Sequence, residues 1–301
     1  MKVSFAEDLS RSDSGKHKFM SRLANEFSRM GVEVLPAKGK GDIFLHIGRN
    51  LEKCRSKKKV MRLDGVNFNT DVNYKSMNVK ILKNIGISDA VIYQGPFCKK
   101  AYETFLGVKK PSACVLNGAD PVEFPKREVK NLFLANCKWR PHKRLEETCR
   151  SFIQAVEEGV TSNLIVAGKA DFKIDHPDIQ YVGWCDNKRM ANLVSQAIGL
   201  IHLSWVDWCP NSMVEAITAG CPVIYSDSGG SPDVAGDTGI AIKDADWDFK
   251  PTNLYDPPPV DRKEVVSAIK ELHRSLETVY REELTITYAA KGYLKFFETI
   301  L

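Results

Sequence analysis

The residues best suited to chemistry lie in the run 201–216, Ile-His-Leu-Ser-Trp-Val-Asp-Trp-Cys-Pro-Asn-Ser-Met-Val-Glu-Ala. An apolar strand pattern ends near Ser204, a polar loop follows, and a helical pattern starts near Ser212. Free amides and a partial positive charge make a helix start an anion site, so the amides of Ser212 and Met213 would hold a phosphate group without a cation. Asp207 and Glu215 flank that position. Ionised carboxylates only accept hydrogen bonds, which suits them to the donating hydroxyls of a polyol. Ser212-x-x-Glu215 reads equally well as a capping box, in which the glutamate merely satisfies the helix start. A second constellation is the run 137–144, Cys-Lys-Trp-Arg-Pro-His-Lys-Arg, directly after a strand pattern. Lys138, Arg140, Lys143 and Arg144 would clamp a multiply charged anion; a solvated basic loop is the plainer alternative. Gly229-Gly230 follows another strand pattern and would let amides approach an oxyanion closely, although such pairs are commonly turns.

Other motifs are missing. The run 11–17 (Arg-Ser-Asp-Ser-Gly-Lys-His) sets Gly15 before a helix, but Ser10 and His17 stand where a P-loop needs Gly and Ser/Thr. There is no G-x-G-x-x-G to support a dehydrogenase and no G-x-S-x-G elbow to support a hydrolase. None of the eight cysteines forms a C-x-x-C pair, and the six histidines form no metal constellation.

Short apolar runs alternating with longer amphipathic ones predict βα units around parallel sheets. Strands are expected at 2–6, 43–46, 60–63, 90–94 and 113–116, then at 131–135, 163–167, 179–182, 200–203 and 222–226. Helices are expected at 16–30, 75–84 and 96–106, then at 145–157, 187–196, 212–219 and 260–277, with an amphipathic pattern over 280–301. A length of 301 residues suits two domains. The seam is expected at 120–126, where two prolines disfavour helix and the charge balance changes sign. Residues 1–125 carry 22 Lys/Arg against 13 Asp/Glu, and residues 126–301 carry 21 against 25. The basic half would face nucleic acid, an anionic membrane surface or a phosphorylated substrate. Its basic residues lack the interleaved aromatics of a nucleic-acid groove. No run is long and apolar enough to span a membrane. Early acidic residues at Glu7 and Asp8 predict no secretory leader, hence reduced thiols in a cytoplasm.

Taken in order, these residues resemble the family 4 retaining glycosyltransferases of the GT-B fold, over most of the chain. Ser14-Gly15-Lys16-His17, Leu23-Ala24 and 31–34 (Gly-Val-Glu-Val) are similar to that family's opening loop, helix and second strand. The segments 91–94 (Val-Ile-Tyr-Gln) and 117–120 (Asn-Gly-Ala-Asp) resemble two further family segments. Lys138 and Lys143, in Lys-x-x-Pro-His-Lys, fall where the family carries an Arg-x-x-Pro-Glu-Lys pair that grips the donor diphosphate. Asp207 and Glu215 fall on its E-x7-E positions, 216–223 on the segment after them, and 229–233 (Gly-Gly-Ser-Pro-Asp) on its Gly-Gly-x-Pro-Glu. The Asp-x-Cys-Pro-Asn-Ser-x-x-Glu-Ala run resembles one subgroup. Among the departures from the pattern, Asp207 is a methylene shorter than the family's Glu, Lys138 replaces Arg, and Trp208-Cys209-Pro210 stands for the usual Gly-Phe-Gly, with Pro210 lacking an amide that could bind the sugar.

The resemblance implies an α/β GT-B architecture of two Rossmann-like doubly wound domains facing a central cleft. Residues 1–124 would be the acceptor-side domain and 125–279 the nucleotide-sugar domain, with a helix in 280–301 returning to the first. It implies retaining hexosyl transfer from a UDP-, GDP- or ADP-sugar to a hydroxyl of a glycan, lipid or small molecule, with no cofactor, metal or nucleic acid. Peripheral membrane association would run through the basic domain. Lys138, Lys143, Asp207 and Glu215 would be catalytic. Gly15, Arg140, Gly168, Gly183, Trp184, Cys185, Cys209, Asn211, Ser212, Met213, Gly229 and Gly230 would line the donor, and Asp64 is a more distant candidate in place of the family's cleft histidine. A nucleotide-sugar epimerase or phosphorylase on the same scaffold is the alternative.

Overall fold

The computed structural model describes residues 1–10, 14–48, 51 and 54–301. Arg11, Ser12 and Asp13 of the glycine-containing loop lie outside the described residues. The chain divides into two compact units, one of Met1–Asp120, Phe249–Thr252 and Glu283–Leu301, the other of Pro121–Asp248 and Asn253–Glu282.

In the first unit, β1 (Lys2–Phe5), β2 (Glu33–Leu35), β3 (Ile43–His46), β4 (Lys58–Leu63), β5 (Ala90–Tyr93) and β6 (Ser112–Cys114) form a parallel sheet ordered β2-β1-β3-β4-β5-β6. β3 and β5 are buried along their whole length, as strands covered by helices on both faces must be. The helices are α1 (Gly15–Arg29), α2 (Tyr74–Gly86), α3 (Pro96–Leu106) and, from the far end of the chain, α9 (Ile286–Ile300). Ser14 caps α1, its Oγ accepting from the His17 amide, which makes Gly15 the first helical residue. α9 buries Ile286, Ala289, Ala290, Tyr293 and Phe297, a single face at helical spacing. That face meets Phe19, Met20, Leu23 and Phe27 of α1 in one core. Phe27 takes Tyr293 and Phe297 edge-on, at centroid distances of 6.5 and 6.2 Å.

In the second unit, β7 (Leu132–Asn136), β8 (Asn163–Ala167), β9 (Ile179–Gly183), β10 (Leu200–His202), β11 (Val223–Ser226) and β12 (Gly239–Ile242) are again parallel, ordered β12-β11-β10-β7-β8-β9. This is the doubly wound order of dinucleotide-binding domains. Its direction reverses between β7 and β10, and ligands of such sheets bind beyond the strand ends at that reversal. The helices are α4 (Leu145–Glu157), α5 (Asn187–Gln196), α6 (Asn211–Thr218), α7 (Ser231–Ala235) and α8 (Arg262–Ser275). The expected α/β arrangement of two doubly wound sheets is present. The sequence pattern missed β12 and α7, and also the three-residue β2, which only the family resemblance placed. The first is four residues with only Ile242 buried, the second is a five-residue turn of helix, and neither is long enough to show a period.

His46, at the end of β3, is fully buried. Its Nδ1 accepts from the Gly48 amide at 3.0 Å and its Nε2 lies 3.0 Å from Ser88 Oγ. Burial pushes the imidazole down from 6.5 to about 4. The unfolded chain therefore binds a proton that the folded one refuses, so the stabilising effect of a neutral His46 is complete above pH 6.5 and is lost as pH falls towards 4. His46→Gln should flatten the fall of the urea midpoint across that interval relative to the parent. Parallel midpoint curves for the two proteins would show that His46 contributes nothing to it.

Candidate functional site

The ends of β7 and β10 deliver the two halves of the site. After β7 the chain runs through a tight turn, Pro141–Lys143, and Arg144 then adopts a left-handed φ of 50° before α4 begins. After β10 it passes Val206, with φ of 53°, and enters α6 at Asn211. Trp205 donates its amide to the His142 carbonyl at 2.9 Å, tying the two loops together. Lys143 and Asp207 consequently meet: Nζ forms an ion pair and hydrogen bond with Oδ2, and both side chains are mostly buried. Asp207 Oδ1 accepts from the Trp208 amide at 2.8 Å. His202, the last residue of β10, approaches Oδ2 with its Nε2 at 3.4 Å. Its Nδ1 lies 3.3 Å from Ser212 Oγ and 3.7 Å from Cys137 Sγ.

Burial opposes charge on Asp207, but the Lys143 ammonium and the His202 imidazole outweigh it and hold the carboxyl well below the usual range. Burial likewise opposes the charge on Lys143, and Asp207 overcomes it, so the ammonium is held above its ordinary value. The imidazole of His202 is also raised, with Cys137 and Asp207 favouring its protonation against burial. The neighbouring His142 goes the other way: burial and then Lys143 push it down to about 3, and it stacks on Tyr255 at 5.7 Å and 15°. One imidazole beside the carboxylate is set up to carry charge, the other to stay neutral.

Close backbone contacts fix the loops. The Gly230 amide donates to the Asp207 carbonyl at 2.6 Å. A Cβ on Gly230 would fall 2.0 Å from the Trp208 oxygen, and one on Gly229, at φ of 68°, 2.6 Å from the Asp207 oxygen. The glycine pair therefore admits the 207–208 backbone, and the Gly230 amide is not free for the oxyanion that the sequence assigned to it. Gly168 (φ 97°) has the same function beneath the first loop, since its Cβ would lie 2.1 Å from the Cys137 oxygen. Its amide donates to the Gly183 carbonyl at 2.7 Å, and Trp139 Nε1 donates to the Ala167 carbonyl at 2.8 Å.

Several other assignments change. Pro210, not Ser212, is the N-cap of α6, and no side chain caps this helix, so the capping-box alternative for Glu215 falls away. Glu215 is buried one turn into the helix. The Met213 amide is already given to the Pro210 carbonyl at 3.0 Å, which removes it from the expected pair of anion-binding amides. The four-cation clamp also breaks up. Lys138 and Arg140 are exposed, whereas Arg144 is buried and donates to both oxygens of the wholly buried Asp244, at 2.8 and 3.0 Å. It reaches the Leu203 and Pro258 carbonyls as well. Its charge is neutralised inside the fold.

Cys209 is buried and Asn211 partly so at the start of α6. Gly183 (φ 66°) ends β9, Trp184 beyond it is 79% exposed, and burial pushes the Cys185 thiol up. In the first unit, Asp64 is ion-paired with the buried Arg62, which also donates to Gln94 Oε1 and Asn117 Oδ1 at 3.1 and 2.6 Å. His202 and His142 escaped the sequence reading. The available signal was one polar residue in the otherwise apolar strand Leu200–Leu203, five positions before Asp207.

Residues 128–249 match the family Glycosyl transferases group 1. No curated protein matches the chain by sequence. Among solved structures the chain is similar to AviGT4, a glycosyltransferase involved in avilamycin A biosynthesis, with 14% identity, 99% of this chain and 97% of that one covered, and a TM-score of 0.61. It is also similar to Anabaena HepE in complex with UDP and glucose, with 11% identity, 99% of both chains covered and a TM-score of 0.64. For sucrose-phosphate synthase from Thermosynechococcus elongatus the values are 11%, 99% and 94%, and 0.64. At such identities the likeness shows the fold, which is GT-B. With the family match, it supports a glycosyltransferase whose chemistry is sugar transfer.

Two substitutions test the framework. Arg144→Met leaves Asp244 buried without its cation and should cost about 3–5 kcal/mol in denaturant unfolding, much of it recovered by adding Asp244→Asn. Gly230→Ala forces the 207–208 backbone aside and should cost about 1–3 kcal/mol; an unchanged unfolding midpoint would mean the loop yields freely.

Proposed function

We propose that the protein is a retaining, metal-independent glycosyltransferase that moves a hexosyl group from a nucleotide diphosphate sugar to a hydroxyl acceptor. The observation that carries this reading is the meeting of Lys143 and Asp207 at the reversal point of the second sheet, beside the start of α6. Such a place suits a diphosphate next to a sugar: an ammonium and a helix start for the phosphates, a carboxylate for the hydroxyls. HepE, of the same fold, has been solved in complex with UDP-glucose, and a UDP-sugar is accordingly the first donor to try, ahead of GDP- and ADP-sugars.

In the proposed reaction the bond from the anomeric carbon to the phosphate oxygen breaks, and its electron pair stays on the diphosphate. Lys143, the more exposed Lys138 and the Ser212 amide offset the charge gathering there. The acceptor oxygen bonds to the anomeric carbon on the face the diphosphate leaves, and the acceptor proton passes to the departing phosphate oxygen. Asp207 holds hydroxyls of the donor sugar, Glu215 the ribose or sugar, and backbone around Gly183, Trp184 and Cys185 frames the base. The basic first unit takes the acceptor, a glycan or a lipid in an anionic membrane surface, on the cytoplasmic side. Among the described residues no helix is long and apolar enough to cross a membrane.

A thermal-shift panel of UDP, GDP, ADP and their sugars, with EDTA present, should give stabilisation by at least one nucleotide family, and none by any member would sink the reading. With the donor found, Lys143→Met should lower turnover about 10²–10³-fold in a folded protein. The anomeric configuration of the product, read by NMR, tests retention.

A further inference from the structure

Asp207 Oδ2 has two cationic suitors and only one is bonded to it. Lys143 holds the oxygen, while His202 Nε2 faces it from 3.4 Å in a longer contact and has no other partner among the described residues. So long a contact leaves a buried nitrogen incompletely satisfied in this state, which calls for an explanation. The opposite ring nitrogen is fixed by Ser212 Oγ and Cys137 Sγ, so the ring is already aimed. In the proposed function, on which the exchange rests, the donor's diphosphate takes the Lys143 ammonium. Asp207 would then keep its charge in a mostly buried place with its counter-ion withdrawn, which is strongly unfavourable.

We propose that His202 is a positioning residue that replaces Lys143 as the cationic partner of Asp207 when Lys143 turns to the diphosphate, so that donor binding takes up a proton. The proton comes from solvent to Nε2, and the imidazolium then donates to Oδ2. No covalent bond changes. Asp207 thereby remains a fixed carboxylate for the sugar hydroxyls in both states. The charged and titratable groups facing the imidazole are Asp207 and Lys143, with Cys137 from the end of β7 and His142 from the turn after it. Asp207 favours the imidazolium, while Lys143 and any charge on His142 oppose it. Withdrawing the ammonium consequently moves the balance towards protonation. The free protein prefers the neutral ring more than the donor complex does, and affinity for the donor falls as pH rises through the ring's titration.

The test has two arms. In the free protein, His202 is followed by NMR titration, its resonance assigned by its absence in His202→Gln. Lys143→Met, which removes the ammonium for good, should raise the midpoint of His202 by about one pH unit or more. An unchanged or lowered midpoint overturns the exchange whatever the site binds, and because parent and Lys143→Met carry the readout, a poorly folded His202→Gln costs only the assignment, which Lys143→Met/His202→Asn supplies instead. In the second arm, UDP-glucose, whose diphosphate diester does not titrate between about pH 6 and 8, is bound by calorimetry in buffers of differing protonation enthalpy. The parent should show net proton uptake and His202→Gln none. Binding by the parent with no uptake overturns the proposal. A shifted midpoint together with no binding by any nucleotide sugar overturns the donor reading and the exchange with it, leaving only the coupling between the charges of His202 and Lys143.

Discussion

One carboxylate oxygen, Asp207 Oδ2, faces an ammonium and an imidazole that both belong to the fold, and the loops of the second unit are arranged around keeping it charged. An ion taken out of water is tolerated only where partners are already in place. The partners here come from β7 and β10, which are neighbours only because the sheet reverses direction between them. Gly230 and Gly168 bring the supporting backbone to distances that a methyl group would forbid. Arg144, one residue beyond Lys143, anchors the same loop to Asp244, so adjacent cations divide between holding the loop and serving the site.

The architecture was legible in the sequence because parallel strands buried on both faces are short unbroken apolar runs between longer amphipathic ones. β3, β8 and the helices α3, α4 and α5 lie where those runs put them. The partnership of Lys143 with Asp207 was legible only through the order of strands, since 64 residues separate the two. Local motifs misled where backbone groups were concerned. Ser212-x-x-Glu215 and Gly229-Gly230 look like amide donors awaiting a ligand, yet whether an amide is spent depends on where a neighbouring carbonyl falls, and sequence spacing does not encode that. The split between Lys143 and Arg144 was equally hidden, because it follows from a left-handed residue at which an arginine gives no warning. His202 resembles a core histidine until the strand beside it is known.

The first unit handles its charge differently. One of its buried cations, Arg62, is consumed by Gln94, Asn117 and Asp64 and lies over the Phe19 ring at 4.8 Å. At its surface Lys2 and Lys57, with side chains 54% and 72% exposed, are paired with Glu33 and Asp42, so the excess of cation over acid on this half falls to its other lysines and arginines. An excess of exposed cation makes a diffuse field that draws anionic partners and weakens with salt, whereas the second unit buries two ion pairs, Lys143–Asp207 and Arg144–Asp244.

The helix α9 closes the core of the first unit although the whole second unit precedes it along the chain. During synthesis from the amino end, the second sheet can therefore assemble on the ribosome while Phe19, Leu23 and Phe27 still wait, uncovered, for Tyr293 and Phe297. The earlier-made half matures last, and the interval between them is when a chaperone would find most to hold.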